Sequence, residues 1–146
     1  MGSRTISKGS VRVSNWLLKA AALFCVVVLL AHEMVGAPMV LKPLSEVAME
    51  TEVVLLHHFS WHVGTVSVLA MAAMFFYASS RPQELALAII APSMSTGYWL
   101  LAIGLAVWES GAMWSTPAPY FWGCITVLGG VGVWFTRSAN RAGDDR

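Results

Sequence analysis

Apolar and polar residues are segregated along this chain rather than alternated. Apolar runs extend over Trp16 to Gly36, Glu52 to Tyr77, Glu84 to Trp108 and Pro119 to Thr136, and the charged residues gather at their ends. A helix that crosses a bilayer needs about 20 mostly apolar residues, and each run is of that order. Spanning β-strands would alternate polar and apolar positions, which these runs do not. The stretches between them, "GAPMVLKPLS", "SSRPQ" and "ESGAMWSTPAP", carry turn chemistry. Such short connections make successive helices antiparallel neighbours. The pattern predicts an all-α polytopic membrane protein, an antiparallel bundle of four transmembrane helices. Its single domain covers 16–136, between a basic tail at 1–15 and a polar tail at 137–146. The stretch "PLSEVAMETE" before the second run reads as a short interfacial helix capped by Ser45.

Composition narrows the class. Hydrophobic residues make up 57% of the 146 and charged residues 12%, against about 25% charged in a soluble domain. The formal net charge of +1 offers no basic field for a polyanion, so a nucleic-acid partner is excluded and the lipid bilayer is the expected surrounding. Cys25 and Cys124 both lie inside apolar runs and form no C-x-x-C pair. They read as small buried hydrophobes.

Charge also sets orientation. Arg4, Lys8, Arg12 and Lys19, then Arg81, then Arg137, Arg141 and Arg146 all fall on one side of a four-span chain, and Lys42 alone falls on the other. The positive-inside rule puts both termini in the cytoplasm, as in a protein of the bacterial inner membrane. The run from Trp16 is longer than a signal-peptide core and Pro38 would follow a cut at "VGA", so the first span is read as retained. Ile6 excludes a myristoylation signal. Trp16, Tyr77, Trp108, Trp114, Tyr120, Trp122 and Trp134 fall near the expected interfaces, whereas Trp61, Tyr98 and Trp99 do not.

The feature that points toward chemistry is "LLHHFSWHVG", which puts His57, His58 and His62 into an apolar run. At ~1.5 Å per residue counted from Glu52, His57 and His58 lie ~8–9 Å and His62 ~15 Å below the outer surface. Counted from Gly36, His32 lies ~6 Å and Glu33 ~4–5 Å below it. Glu109 ends the third span on the same side. The polar groups thus converge on the outer half of the bundle. His58 and His62 stack at i and i+4, with Thr65 or Val66 continuing their face. His57 points ~100° away, with Trp61 and Gly64. The face of His58 and His62 is expected to look into the bundle, with His57 turned to a neighbour or the headgroups.

Three chemistries fit these residues. In the leading reading His32, Glu33, His58 and His62 hold a transition metal, or two of His32, His58 and His62 serve as axial ligands of one haem. In the second, the histidines form a structural hydrogen-bond network in a non-catalytic membrane subunit or scaffold. In the third, His58, His62 and Glu33 handle protons or the polar head of a lipid-like ligand, with Tyr98, Glu109 and His57 as accessories and Tyr98 donating to His62. Whether the chain is an enzyme stays open, because no nucleophile elbow, phosphate loop or dinucleotide fingerprint is present.

Pro92 should kink the third span, with Ser93, Ser95 and Thr96 satisfying the freed backbone. Gly129, Gly130 and Gly132 form a close-packing face, for this chain or for a homo-oligomer or larger membrane complex. Membrane di-iron hydroxylases and desaturases carry several histidine boxes, and the one segment "HHFSWH" cannot supply them. Small multidrug transporters place an acid in the middle of the first span, where this chain has "AALFCVVVLL". Two-haem membrane cytochromes use histidine pairs at both faces, and the inner half here has none. No family is identified from the residues.

Overall fold

A computed structural model of the chain describes residues 8–81 and 85–144. Arg4, Ile6, Arg146 and the expected start of the third span at Glu84 lie outside them. The described residues are helical almost throughout and contain no strand. Helix α1 covers Lys8–Ala31, α2 Ala37–Ser45, α3 Thr51–Ser80, α4 Leu85–Trp108 and α5 Ala118–Asp144. Four stretches are long and apolar enough to cross a membrane: Asn15–Ser45, Thr51–Ser80, Ala86–Trp108 and Ala118–Ser138.

The first stretch departs most from expectation. It does not stop at Gly36 but runs through a widened π-helical turn, His32–Gly36, into α2. The Ala37 N–H donates to the His32 carbonyl, five residues back. Pro38 gives the physical occasion. Within a regular helix its ring would clash with the carbonyl four residues earlier, and it has no N–H to donate. The wide turn opens the ladder there, and Pro38 falls in the first turn of α2, where a missing donor costs nothing. Pro43 also lies inside α2, so both prolines that read as loop chemistry are helical. Ser45 does not open an interfacial helix. It closes α2, its hydroxyl donating to the Lys42 carbonyl at 2.7 Å, and residues 46–50 are not helical.

The helix α1 packs mainly against α3 and α5, and α4 mainly against α5 and α3. The buried positions form one line per helix: Leu18, Ala21, Ala22, Cys25 and Val28 on α1, then Val68, Met71, Ala72, Phe75 and Ala78 on α3. From α4 come Ala88 and Ala91, and from α5 Ile125 and Val133. Alanine and glycine at these positions let the helix backbones come close. Gly129 is the tightest such place: a Cβ there would lie 2.6 Å from Phe75 Cζ and 3.1 Å from Pro92 Cβ. A Cβ at Gly132 would lie 2.9 Å from Leu18. Of Gly129, Gly130 and Gly132, the first and the last thus pack against this chain itself. Most other large apolar side chains, among them Leu23, Val27, Phe76, Leu100 and Val107, are exposed, a pattern compatible with a membrane protein.

The backbone freed by Pro92, which lies inside the uninterrupted α4, is handled differently from expectation. Pro92 frees the Ala88 carbonyl, yet Ser93 donates to Ile89 O at 2.8 Å and Thr96 to Pro92 O at 2.7 Å. Ser95, fully buried, crosses to α5 and donates to the Trp122 carbonyl at 3.0 Å, while Thr126 donates to Ser95 Oγ at 3.0 Å.

Candidate functional site

No α3 residue N-terminal to Val68 is buried. Over that stretch the contact between α1 and α3 is polar and aromatic. It is organised by the wide turn, which delivers two consecutive side chains, His32 and Glu33, to the same neighbour. The His32 imidazole stacks on the Trp61 indole, with ring centroids 4.0 Å apart and planes 6° from parallel. Its Nε2 lies 3.3 Å from the Trp61 carbonyl oxygen, so the protonated Nε2 tautomer donates there. Gly36 makes room for this stack, while at Gly64 a side chain would be in ordinary contact. A Cβ on Gly36 would touch the Trp61 ring at 3.1 Å, and one on Gly64 would lie 3.7 Å from His32 Nε2. The Trp61 indole N–H is buried and has no hydrogen-bond partner among the described residues.

One residue further on, Glu33 meets α3 on the adjacent side. Thr65 donates its hydroxyl to Glu33 Oε1, and His62 Nδ1 lies 3.5 Å from the same oxygen. The side chains of His62 and Glu33 are 54% and 33% exposed, so this pair is open to the surroundings of the helices.

The contact corrects the assigned depths. His62 was placed far below Glu33, yet the two touch and share a level. The first stretch runs on through Gly36 to Ser45, and α2 packs on α3, so Gly36 does not mark the boundary from which Glu33 should be counted. The inward face is corrected too. The line from Trp61 through Gly64 to Val68 turns toward α1, and His62 flanks it. His58 is half-buried, while His57 is exposed and its Nδ1 lies 2.8 Å from the Val53 carbonyl one turn back. Among the described residues neither His58 nor the exposed Glu109 side chain has a hydrogen-bonding partner.

Tyr98 does not donate to His62. Its hydroxyl donates to Ser67 Oγ at 2.8 Å, and Ser67 donates onward to the Val63 carbonyl at 2.8 Å. The Tyr98 ring stacks on Trp122 at 4.6 Å, which joins α3, α4 and α5.

Among the described residues no group of three or more His, Cys, Asp and Glu side chains is arranged to hold a metal ion. The set His32, Glu33, His58 and His62 is therefore not gathered as ligands. Axial ligation of a haem through His32 Nε2 would break its contact with the Trp61 carbonyl. What the geometry does gather is Glu33, Thr65 and His62 as one hydrogen-bonded group, with His32 and Trp61 as a stacked pair beside it. Thr65 was legible as a continuation of the His58–His62 face. The roles of Trp61, Ser67, Gly36 and Gly64 were not, although an aromatic residue deep in a span with glycine three positions on is a usable sign of a close approach. Comparison with protein-family models, with curated proteins and with solved structures finds no match to this chain.

Proposed function

We propose that this chain is a small integral membrane protein of the bacterial inner membrane, a non-catalytic subunit or scaffold. Its four spans form an antiparallel bundle with both termini cytoplasmic. Supporting the antiparallel order, Leu18 meets Gly132 and Phe24 meets Phe121, while Pro92 meets Gly129 and Trp99 meets Gly123. The bias of Lys and Arg supports the orientation.

In this reading the polar group at the outer rim is a clasp that fixes the register of the first span on the second. The observation that carries it is Glu33 accepting from Thr65 while facing His62 at 3.5 Å. Hydrogen bonds between membrane helices contribute ~0.6 kcal/mol on average and up to ~1.7. One carboxylate oxygen shared by two α3 side chains is suited to register, because a slip by one residue loses both. Any partner helix on α5 would meet Gly130 rather than Gly129 or Gly132, since no atom lies within 4 Å of a Cβ built on Gly130.

The test has two parts. A phosphatase fused after Arg146 should be inactive and one inserted between Glu46 and Glu50 active. In mild detergent, Thr65→Val and Glu33→Ala should each lower the thermal midpoint. A midpoint unchanged in both variants refutes the clasp, and an active fusion at Arg146 refutes the orientation.

A further inference from the structure

The two ends of the chain's four spans differ in charge. Glu33, Glu46, Glu50, Glu52 and Glu109 fall at the outer end with Lys42, whereas Lys19, Arg81, Arg137 and Arg141 fall at the end that holds the termini. We propose that this inner end carries a binding site for the phosphate of an anionic membrane phospholipid, centred on Arg81 and held in shape by Tyr77. This rests on the antiparallel order of the spans proposed above and adds a ligand to it.

Arg81 is fixed in place rather than left as a loose surface charge. It follows Ser80, the last residue of α3, and its side chain folds back over Tyr77, one turn earlier. The guanidinium carbon stands 4.4 Å from the centre of the Tyr77 ring, and Nη1 donates to the Tyr77 hydroxyl. Ring face and hydroxyl together orient the planar guanidinium. That bond uses one of its five N–H donors. Both side chains are exposed, so the remaining donors can meet phosphate oxygens in the forked contact that arginine favours.

The other cations reach the same level. Phe75 lies against Gly129 and Leu18 against Gly132, which aligns α3, α5 and α1. Counted toward the termini from the contact of Phe75 with Gly129, Arg81 stands ~9 Å and Arg137 ~12 Å away. Lys19 starts only ~3 Å past that contact, but it is exposed, and a lysine so placed extends its ammonium toward the headgroups. Trp16 and Trp134, both exposed, each stand ~7–8 Å past it. Indole rings prefer the boundary between acyl chains and headgroups, so the guanidinium groups just beyond them stand at the depth of lipid phosphates.

The protein itself does not answer these charges. Among the described residues none of Lys19, Arg81, Arg137 and Arg141 takes part in an ion pair. A headgroup with a net negative charge supplies the partner, and each nearby lysine or arginine strengthens the attraction by about fivefold. A zwitterionic headgroup carries its own ammonium beside the phosphate and gains less. A free phosphate ion lacks the acyl chains that would lie along the exposed Phe76 and Trp134 side chains.

The experiment takes the full chain in a neutral maltoside detergent. Phosphatidylglycerol, phosphatidylcholine and sodium phosphate are added as separate probes. Native mass spectrometry counts bound lipid, and the thermal midpoint is followed in parallel. Phosphatidylglycerol should bind about fivefold tighter than phosphatidylcholine, or better, and raise the midpoint, while sodium phosphate leaves it unchanged. Arg81→Gln should lose about fivefold in phosphatidylglycerol affinity. Arg81→Lys keeps the charge without the fork, and Tyr77→Phe keeps the ring without the hydroxyl. Both should weaken phosphatidylglycerol and leave phosphatidylcholine unchanged. The lipid-free midpoints of these exposed-site variants should match wild type, which separates binding from folding.

Equal binding of the two lipids would overturn the site. Wild-type affinity in Arg81→Lys would overturn it as well, since a diffuse positive rim needs no fork. A midpoint raised equally by sodium phosphate would overturn the lipid as the source of the phosphate. Lys42→Gln reads the order of the spans separately, because Lys42 lies at the opposite end and its loss should leave lipid binding unchanged. If Lys42→Gln weakens phosphatidylglycerol as much as Arg81→Gln does, the antiparallel order fails. If both variants bind as wild type does, the order stands and only the lipid site fails.

Discussion

Around Phe75 the helices meet through small residues, and around Glu33 they meet through hydrogen bonds. Phe75, Met71, Cys25 and Ile125 are fully buried, with Gly129 admitting the Phe75 ring against α5. At the other end His62 and Glu33 remain open to the surroundings. The first region is specified by volume and the second by direction. A hydrocarbon solvent, for which the four stretches are long and apolar enough, would explain the division. Lipid tails offer no hydrophobic gain for packing apolar side chains together, so close fit and polar pairing have to supply the association. The close fit tolerates no added atom, while the polar pairs tolerate change at modest cost.

The largest predicted effect lies in the close-packed region. Gly129→Leu has to displace both Phe75 and Pro92, and should lose about 3 kcal/mol or more, as overpacked cores do at the upper end of their range. Chemical or thermal unfolding in detergent measures it. A variant within about 0.5 kcal/mol of wild type would mean that the helices do not approach as described and that the contrast between the two regions is empty.

The clasp comes next. Glu33→Ala should cost about 1–1.7 kcal/mol, near the upper end for interhelical polar pairs in membranes. The exposure of His62 and Glu33 holds the value down, since screened pairs contribute little. Thr65→Val keeps the ion pair and should cost less, about 0.6 kcal/mol. A double-mutant cycle between positions 33 and 65 should show coupling. Strict additivity would mean that Thr65 is not bonded to Glu33.

The two regions were not equally legible from the residues. Four spans follow from the bilayer thickness alone, and helices of spanning length and composition bear them out. The continuation through Gly36 to Ser45 was hidden because Pro38 and Pro43 look like loop residues, yet a proline in a first helical turn loses nothing. Periodicity within α3 correctly separated His57 from His58 and His62. It could not say which line faced α1, since that depends on the rotation of two helices about each other. Counting from Gly36 puts Glu33 too near the surface relative to His62, because the first stretch runs on through Gly36 to Ser45. Depth counting also misses the partner of Tyr98, since it is Ser67, five residues beyond His62 in α3, that meets its hydroxyl.

A third pair of variants tests the seam between α4 and α5, where buried polar groups sit among small residues. Ser95→Ala removes a donor to Trp122 O and the acceptor of Thr126, and should cost about 1 kcal/mol. Tyr98→Phe loses only the bond to Ser67 and keeps the stack on Trp122, so about 0.6 kcal/mol is expected. Should Tyr98→Phe prove the costlier of the two, the hydroxyl chain from Tyr98 through Ser67 to Val63 would matter more than the buried serine, and polar pairing would extend well beyond the rim.

The smallest effect discriminates between packing inside the chain and packing between chains. Gly130 stands beside Gly129 in sequence but turns outward, and a Cβ built on it meets no atom within 4 Å. Gly130→Ala should leave stability within about 0.5 kcal/mol of wild type, tending to a slight gain because alanine is the better helix former. Gly130→Ile should do the same in a lone chain, since the larger side chain would lie in lipid. If a second helix packs there, the isoleucine has to be accommodated between two backbones, and the loss should approach that of Gly129→Leu. Sedimentation or cross-linking in detergent would then show the oligomer weakened. Equal stability of both Gly130 variants, with unchanged oligomeric state, assigns the glycine face to this chain's own packing through Gly129 and Gly132 alone.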